Sequence, residues 1–367
     1  MSTRRILSQR LNSYTPLDAN DNTGAFLMDF FSVLATDGKR NLQDDVSKCA
    51  DDTTVRQLAE SIRTGLVVPM KAQGGRTPTV LISSPRHGLE DSIQDIMSQN
   101  ISPITRNLQY RLREHCLERD GFKCVVTGLW SRVHSHPAGA PTGNLETAHI
   151  IPFPLGAFES SNRPAVARHS EIWTNIRHYF PIIHTMPFSS NQINEERNVL
   201  MLHSSLHTEF RGFRICFEAT TVTNQYRFRT FSDTETALAN LYPANRLVQF
   251  RSHGGQWELP DRRLLQIHAA IANFLHMAGQ AEAIEKTMRD YSECSGLAPG
   301  GGTNIEDLLA VSSLSLLSES RRHPRPANIH RPQSTDVDDK HSVERPRPQA
   351  AKLPGSENRP ENRPHGS

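Results

Sequence analysis

Cysteine is scarce in this chain, and the few present do not pair by pattern. Cys49, Cys116, Cys124, Cys216 and Cys294 are scattered and odd in number, with no Cys-x-x-Cys among them. That spacing argues against a disulfide framework and against a cysteine-rich zinc site. Long apolar runs are missing too, so no segment reads as a bilayer span. The opening stretch MSTRRILSQRLNSYTPLDAN lacks the apolar core that a signal peptide needs. The expectation is an intracellular protein of a reducing compartment, nucleus or cytoplasm. Neither sign of charge is in excess: 41 basic residues face 39 acidic ones, for a net charge of +2. Such a balance does not by itself announce a nucleic-acid partner. Apolar residues make up 36% of the 367, too few for a chain packed along its whole length.

What is present organises into four stretches. Residues 1–22 are polar and aperiodic and read as a loose arm. Residues 23–104 read as a mainly helical region, with a helix over 24–36 and another over 53–69. In the second, Val55, Leu58, Ile62 and Leu66 fall at helical spacing, Thr53 or Thr54 caps the start and Pro69 ends it. Residues 72–103 read as a connector. Residues 105–292 alternate between helix and strand signals. They start with a helix over 106–119, then the turn Asp120-Gly121 and a strand-like Cys124–Thr127. LETAHIIP at 145–152 is a second strand stopped by Pro152, and 154–190 is an insertion with a helix near 172–180. Residues 197–211 begin as loop and become helical, FRICFEA and QYRFRTF form a hairpin, and a helix spans 261–291. Residues 293–367 form a Pro/Arg-rich tail, with one short amphipathic helix at 305–318. Its end, from Arg321 to Ser367, has eight prolines and no aromatic residue, a composition that cannot offset the entropy of ordering.

Three residues stand out for chemistry. His149 lies in AHIIPF at the end of a strand, Asn198 opens NVLML, and His207 lies in LHTEF on a helix. ERDGFKCVVTG precedes them. A neutral imidazole with a pKa of roughly 6.5 suits removal of a proton from water. A histidine on a helix suits metal binding, and His203, four residues before His207, would share its helix face.

This ordered set resembles the HNH nuclease superfamily, the ββα-metal fold, and in particular the HNH domain common in fungal proteins. The resemblance covers residues 119–219: RD, CxxTG, AHI-P, N-x-L-x-L and LH-x-x-F. It implies an α+β protein with a ββα-metal core, an inserted loop, a flanking hairpin and helices, a helical N-terminal region and a disordered tail. It implies an endonuclease that hydrolyses phosphodiester bonds, DNA favoured over RNA. His149 would be the general base, with Asn198 pinning the adjoining loop. His207 would hold a divalent metal ion, Mg2+ favoured over Mn2+, Ni2+ or Zn2+.

Two departures from the family pattern bear on the metal. Ala148 stands where many relatives carry an acidic or histidine ligand, which turns attention to Glu146 on the same strand face, with His203 as a second helix ligand. Arg211 stands one turn after His207, where relatives often have an acidic residue or histidine; an arginine there would hold phosphate. Arg214, with Arg111, Arg113 and Arg132, completes the candidate nucleic-acid contacts. The competing reading is a catalytically weak or inactive module of the same fold that binds nucleic acid or a protein partner.

Overall fold

The computed structural model describes residues 3–19, 21–72, 106–156, 163–231, 234 and 238–277, all within one compact unit. The connector, the far half of the helix read over 261–291, the helix at 305–318 and the Pro/Arg-rich tail lie outside the described residues. The described residues mix helices with three small sheets, an α+β architecture. No helix among them is long and apolar enough to cross a membrane.

The N-terminal helices are α1 (Thr3–Asn12), α2 (Thr23–Val33), α3 (Thr36–Lys48), α4 (Asp52–Ile62) and α5 (Val68–Ala72). α1 replaces the loose arm expected from sequence. Leu7 and Leu11, one turn apart, are buried, and Arg10 pairs with Asp52 of α4 at 2.9 Å. The helix expected over 24–36 stops earlier, where Leu34 turns extended, and α3 follows at once. Asp51, rather than Thr53 or Thr54, caps α4 by accepting from the Thr54 N–H at 2.8 Å.

Pro69 does not end this helical stretch. A π-turn at Arg63–Val67 carries the backbone on into α5. A proline has no N–H for the carbonyl four residues back, here that of Gly65. Asn175 fills that role from α7 (Arg163–Tyr179), donating its Nδ2 to the Gly65 carbonyl at 3.0 Å. Glycine makes the approach feasible, because a Cβ at position 65 would lie 2.4 Å from that Nδ2.

After α6 (Arg106–Arg119) the chain turns sharply at Gly121, whose φ of +63° favours glycine. The strand expected at Cys124–Thr127 is a turn instead. Its Val125 N–H donates to the Met201 carbonyl at 3.1 Å, so it caps a neighbouring strand rather than extending a sheet of its own. β1 (Trp130–Ser131) and β2 (Thr142–Gly143) form a short parallel pair. β3 (Leu145–His149) pairs antiparallel with β4 (Val199–His203), and α8 (Ser204–Arg211) follows directly. β4 occupies part of the stretch expected to be loop. The insertion between β3 and β4 carries α7, longer than its sequence signal, anchored by the Trp173 indole N–H to the Leu155 carbonyl at 3.0 Å.

The expected hairpin is β5 (Ile215–Ala219) and β6 (Gln225–Thr230), extended by β7 (Leu247–Gln249) into three antiparallel strands. α9 (Arg262–Met277) packs on β5 with one side and on α2 with the other. Phe274 of α9 meets Phe26 and Phe30 edge-on at 5.1 and 5.4 Å, so one apolar core runs from Leu7 to Leu275. Burial of that continuous apolar surface is the main stabilising term.

Candidate active site

The site is built where β3 ends, β4 begins and α8 lies back across β3. Register places His149 opposite Val199 and Glu146 opposite Leu202. Arg113 of α6 holds the start of β3 by donating to the Leu145 carbonyl at 2.9 Å.

Beneath the site, Arg119 is wholly buried and uses all five of its guanidinium donors. It grips Asp120 with two bonds, at 2.7 and 2.8 Å, and donates to the carbonyls of Glu196, Val199 and Glu258 at 2.7, 2.9 and 3.1 Å. Asp120 in turn accepts from the Met201 N–H at 3.1 Å. The Arg-Asp pair is thus a clasp on the outer edge of β4 and carries no group to the surface.

Asn198 is fully buried as well. Its Oδ1 accepts from the Ile151 N–H at 2.8 Å, and its Nδ2 donates to the carbonyls of Ile151 and Ile193 at 3.0 and 2.9 Å. It therefore ties the chain leaving β3 to the chain entering β4. No atom of it reaches a surface where substrate would sit, so its part is positioning.

His149 is partly buried, with Phe153 beside it at 5.4 Å between ring centroids. Its Nε2 lies 2.9 Å from Asn194 Oδ1, not against Asn198. Burial pushes its pKa down to about 4, against the opposing pull of the Asn194 bond. The imidazole is neutral at pH 7 and able to accept a proton.

His207, on α8, faces Glu146 on β3, with Nδ1 and Oε2 2.6 Å apart. A histidine that donates one ring N–H to a carboxylate presents its other nitrogen outward, the usual arrangement for a metal ligand. The helical pair of His203 with His207 is not formed. His203 ends β4 and caps α8, its Nδ1 accepting from the Ser205 N–H at 3.3 Å, and its ring packs against Gly143. Ala148 is fully buried, so position 148 has no surface on which to offer a ligand. Among the described residues no group of three or more His, Cys, Asp or Glu side chains is placed to hold a metal. The donor that fits a cation is His207 through Nε2, with Glu146 bonded behind it at Nδ1, a set that leaves room for water and phosphate oxygens.

Of the two candidate arginines, Arg211 is exposed at the end of α8. Arg214 is committed elsewhere, its Nε and a terminal nitrogen bonded to the buried carboxylate of Glu209 at 2.8 and 3.2 Å. The residue that sequence reasoning missed is Asn194. No motif or spacing marks it, because its link to His149 spans 45 residues and exists only in the fold.

Residues 124–218 match the family model described as HNH endonuclease, so this segment is an HNH nuclease domain. No curated protein and no solved structure matches the chain.

Proposed function

We propose that the chain is a metal-dependent endonuclease that hydrolyses nucleic-acid phosphodiester bonds, with DNA favoured over RNA. The observation that carries this reading is that α8 packs across β3, so that His207, bonded to Glu146 of that strand, lies on the element that covers the strand ending in the neutral, partly buried His149. His149 takes a proton from the attacking water. His207, with Glu146 behind it, holds the divalent cation, Mg2+ favoured. When bound, that cation supplies positive charge for the phosphate and the departing oxygen. Asn198 keeps the two chain segments in register, and Arg211, one turn beyond His207, meets a neighbouring phosphate. On this reading β3, β4 and α8 are the ββα-metal core.

A second reading draws on the buried Ala148 and the sparse donor set: the domain binds nucleic acid without cutting it. One experiment separates the two. The full chain is incubated with supercoiled plasmid DNA, or with RNA, in Mg2+, Mn2+, Ni2+ or Zn2+. Nicking that His149→Ala abolishes, at an unchanged melting temperature, supports the nuclease. Binding by gel shift with no cleavage in any metal overturns it in favour of the second reading.

A further inference from the structure

We infer that Asn194 is a positioning residue that fixes the tautomer of His149, so that Nδ1 is the nitrogen that accepts the proton from water. The inference rests on the reading of His149 as the base, but its physical half, the tautomer, does not depend on activity.

An imidazole in its neutral form has one N–H and one lone pair, and their placement follows from the bond the ring makes. An amide oxygen can only accept. Asn194 Oδ1, 2.9 Å from Nε2, therefore puts the proton on Nε2 and leaves the lone pair on Nδ1. The loop that carries Asn194 is stiff. Before it stands the turn Ser190–Gln192, closed at both ends by the Ser189–Gln192 capping box. Immediately before it, Ile193 is fully buried and its carbonyl is held by Asn198 at 2.9 Å. Asn198 thus braces both the loop bearing Asn194 and the segment that follows His149, which explains how one buried amide keeps two distant residues in register.

The choice of asparagine has a chemical sense. Its Nδ2 is buried and meets no hydrogen-bond partner among the described residues, so this amide is carried at a cost in stability. An aspartate would avoid that orphan and hold the same proton. Its negative charge would also favour the imidazolium, which cannot accept a proton. Asparagine orients the ring without charging it. An unbonded ring, in contrast, would divide itself between two tautomers, one of which presents an N–H to the water.

The test uses the full chain with 15N-labelled histidine rings, the His149 signals being assigned by their loss in His149→Gln. Long-range proton–nitrogen correlation at neutral pH should show His149 with the proton on Nε2. Asn194→Leu should turn that signal into a mixture, while Asn194→Asp, which keeps an acceptor in place, should retain the Nε2–H form. A wild-type ring protonated on Nδ1, or a ring unaffected by Asn194→Leu, overturns the inference. In plasmid cleavage, Asn194→Leu should lower kcat about tenfold to a hundredfold with KM unchanged. A rise in KM alone would assign Asn194 to substrate binding and overturn it too. Absence of cleavage by the wild-type chain would sink the nuclease reading, and the ring spectra would still decide the tautomer.

Discussion

Glu146 and His207 meet across a strand and a helix, carboxylate oxygen to imidazole Nδ1 at 2.6 Å, from positions 61 residues apart. The pair settles which nitrogen of His207 faces outward. A glutamate in this role need not touch the cation to matter for its binding. Replacing Glu146 with alanine should weaken Mn2+ affinity by about tenfold to a hundredfold, and His207→Ala should weaken it further. Titration calorimetry on the folded variants checks both; equal affinity in His207→Ala and the wild type would remove His207 from the metal site.

Asn198→Ala should cost about 2–4 kcal/mol of stability, because it strands the Ile151 N–H and the Ile151 and Ile193 carbonyls in a buried place. Urea denaturation measures it. Asn198→Asp is the sharper variant, since it keeps the acceptor for Ile151 yet faces two carbonyls with no donor. A loss under about 0.5 kcal/mol for both would show that the bracing is dispensable.

Arg119→Leu should be more damaging, on the order of 3–5 kcal/mol, since Asp120 would remain as an unpaired buried carboxylate. The double variant Arg119→Leu with Asp120→Asn should recover part of that loss. If the double variant is no better than the single, the damage comes from the stranded carbonyls of Glu196, Val199 and Glu258 rather than from the charge.

Acid should destabilise the fold through histidine. His268 is stacked between Phe210 and Phe213 at 3.9 and 4.4 Å, and burial pushes it down to about 3 against the pull of its bond to the Phe210 carbonyl. In the unfolded chain it titrates near 6.5. Its pKa is lower folded than unfolded, so the unfolded state takes up the proton first. The contribution is whole above about pH 6.5 and drains away as pH falls toward 3, on the order of 5 kcal/mol across the window. His149, lowered to about 4, acts in the same direction over a narrower range. Urea midpoints should therefore fall between pH 7 and pH 4, and His268→Gln should flatten the slope. A slope identical in the variant would exclude His268 as its source.

Much of this fold was legible where sequence pattern and burial agree. α6, β3, the β5–β6 hairpin and α9 follow from helical spacing or alternation. β4 escaped because Val199, Leu200, Met201 and Leu202 are all fully buried, so the strand shows an unbroken apolar run instead of alternation. Its short length next to a helical signal left the period undecided. α1 and α3 escaped for the opposite reason. Among the described side chains the apolar ones they bury are few, Leu7 and Leu11 in one, Leu42 and Val46 in the other, too little to set a period. In the candidate site, His149, Asn198 and His207 draw notice in the sequence because they lie in ordered motifs. The Glu146 contact follows from strand alternation only once β4 and α8 are in place. The His203 pairing failed because a four-residue spacing means one turn only if both residues lie in the helix, and His203 lies before it.

Arg119 stands five residues before the segment that matches the family model, and its acceptor at Glu258 lies forty residues beyond it. Kinship is thus recognisable over a shorter stretch than the one that holds together mechanically. A graft of 124–218 onto another scaffold would carry His149 and His207 but leave behind the guanidinium that closes the outer edge of β4. It would also leave behind Lys71, whose ammonium donates to the Gly212 carbonyl at the end of α8 at 3.0 Å. The N-terminal helices and α9 thus brace the matched segment from outside it, Lys71 at the end of α8 and α9 along β5.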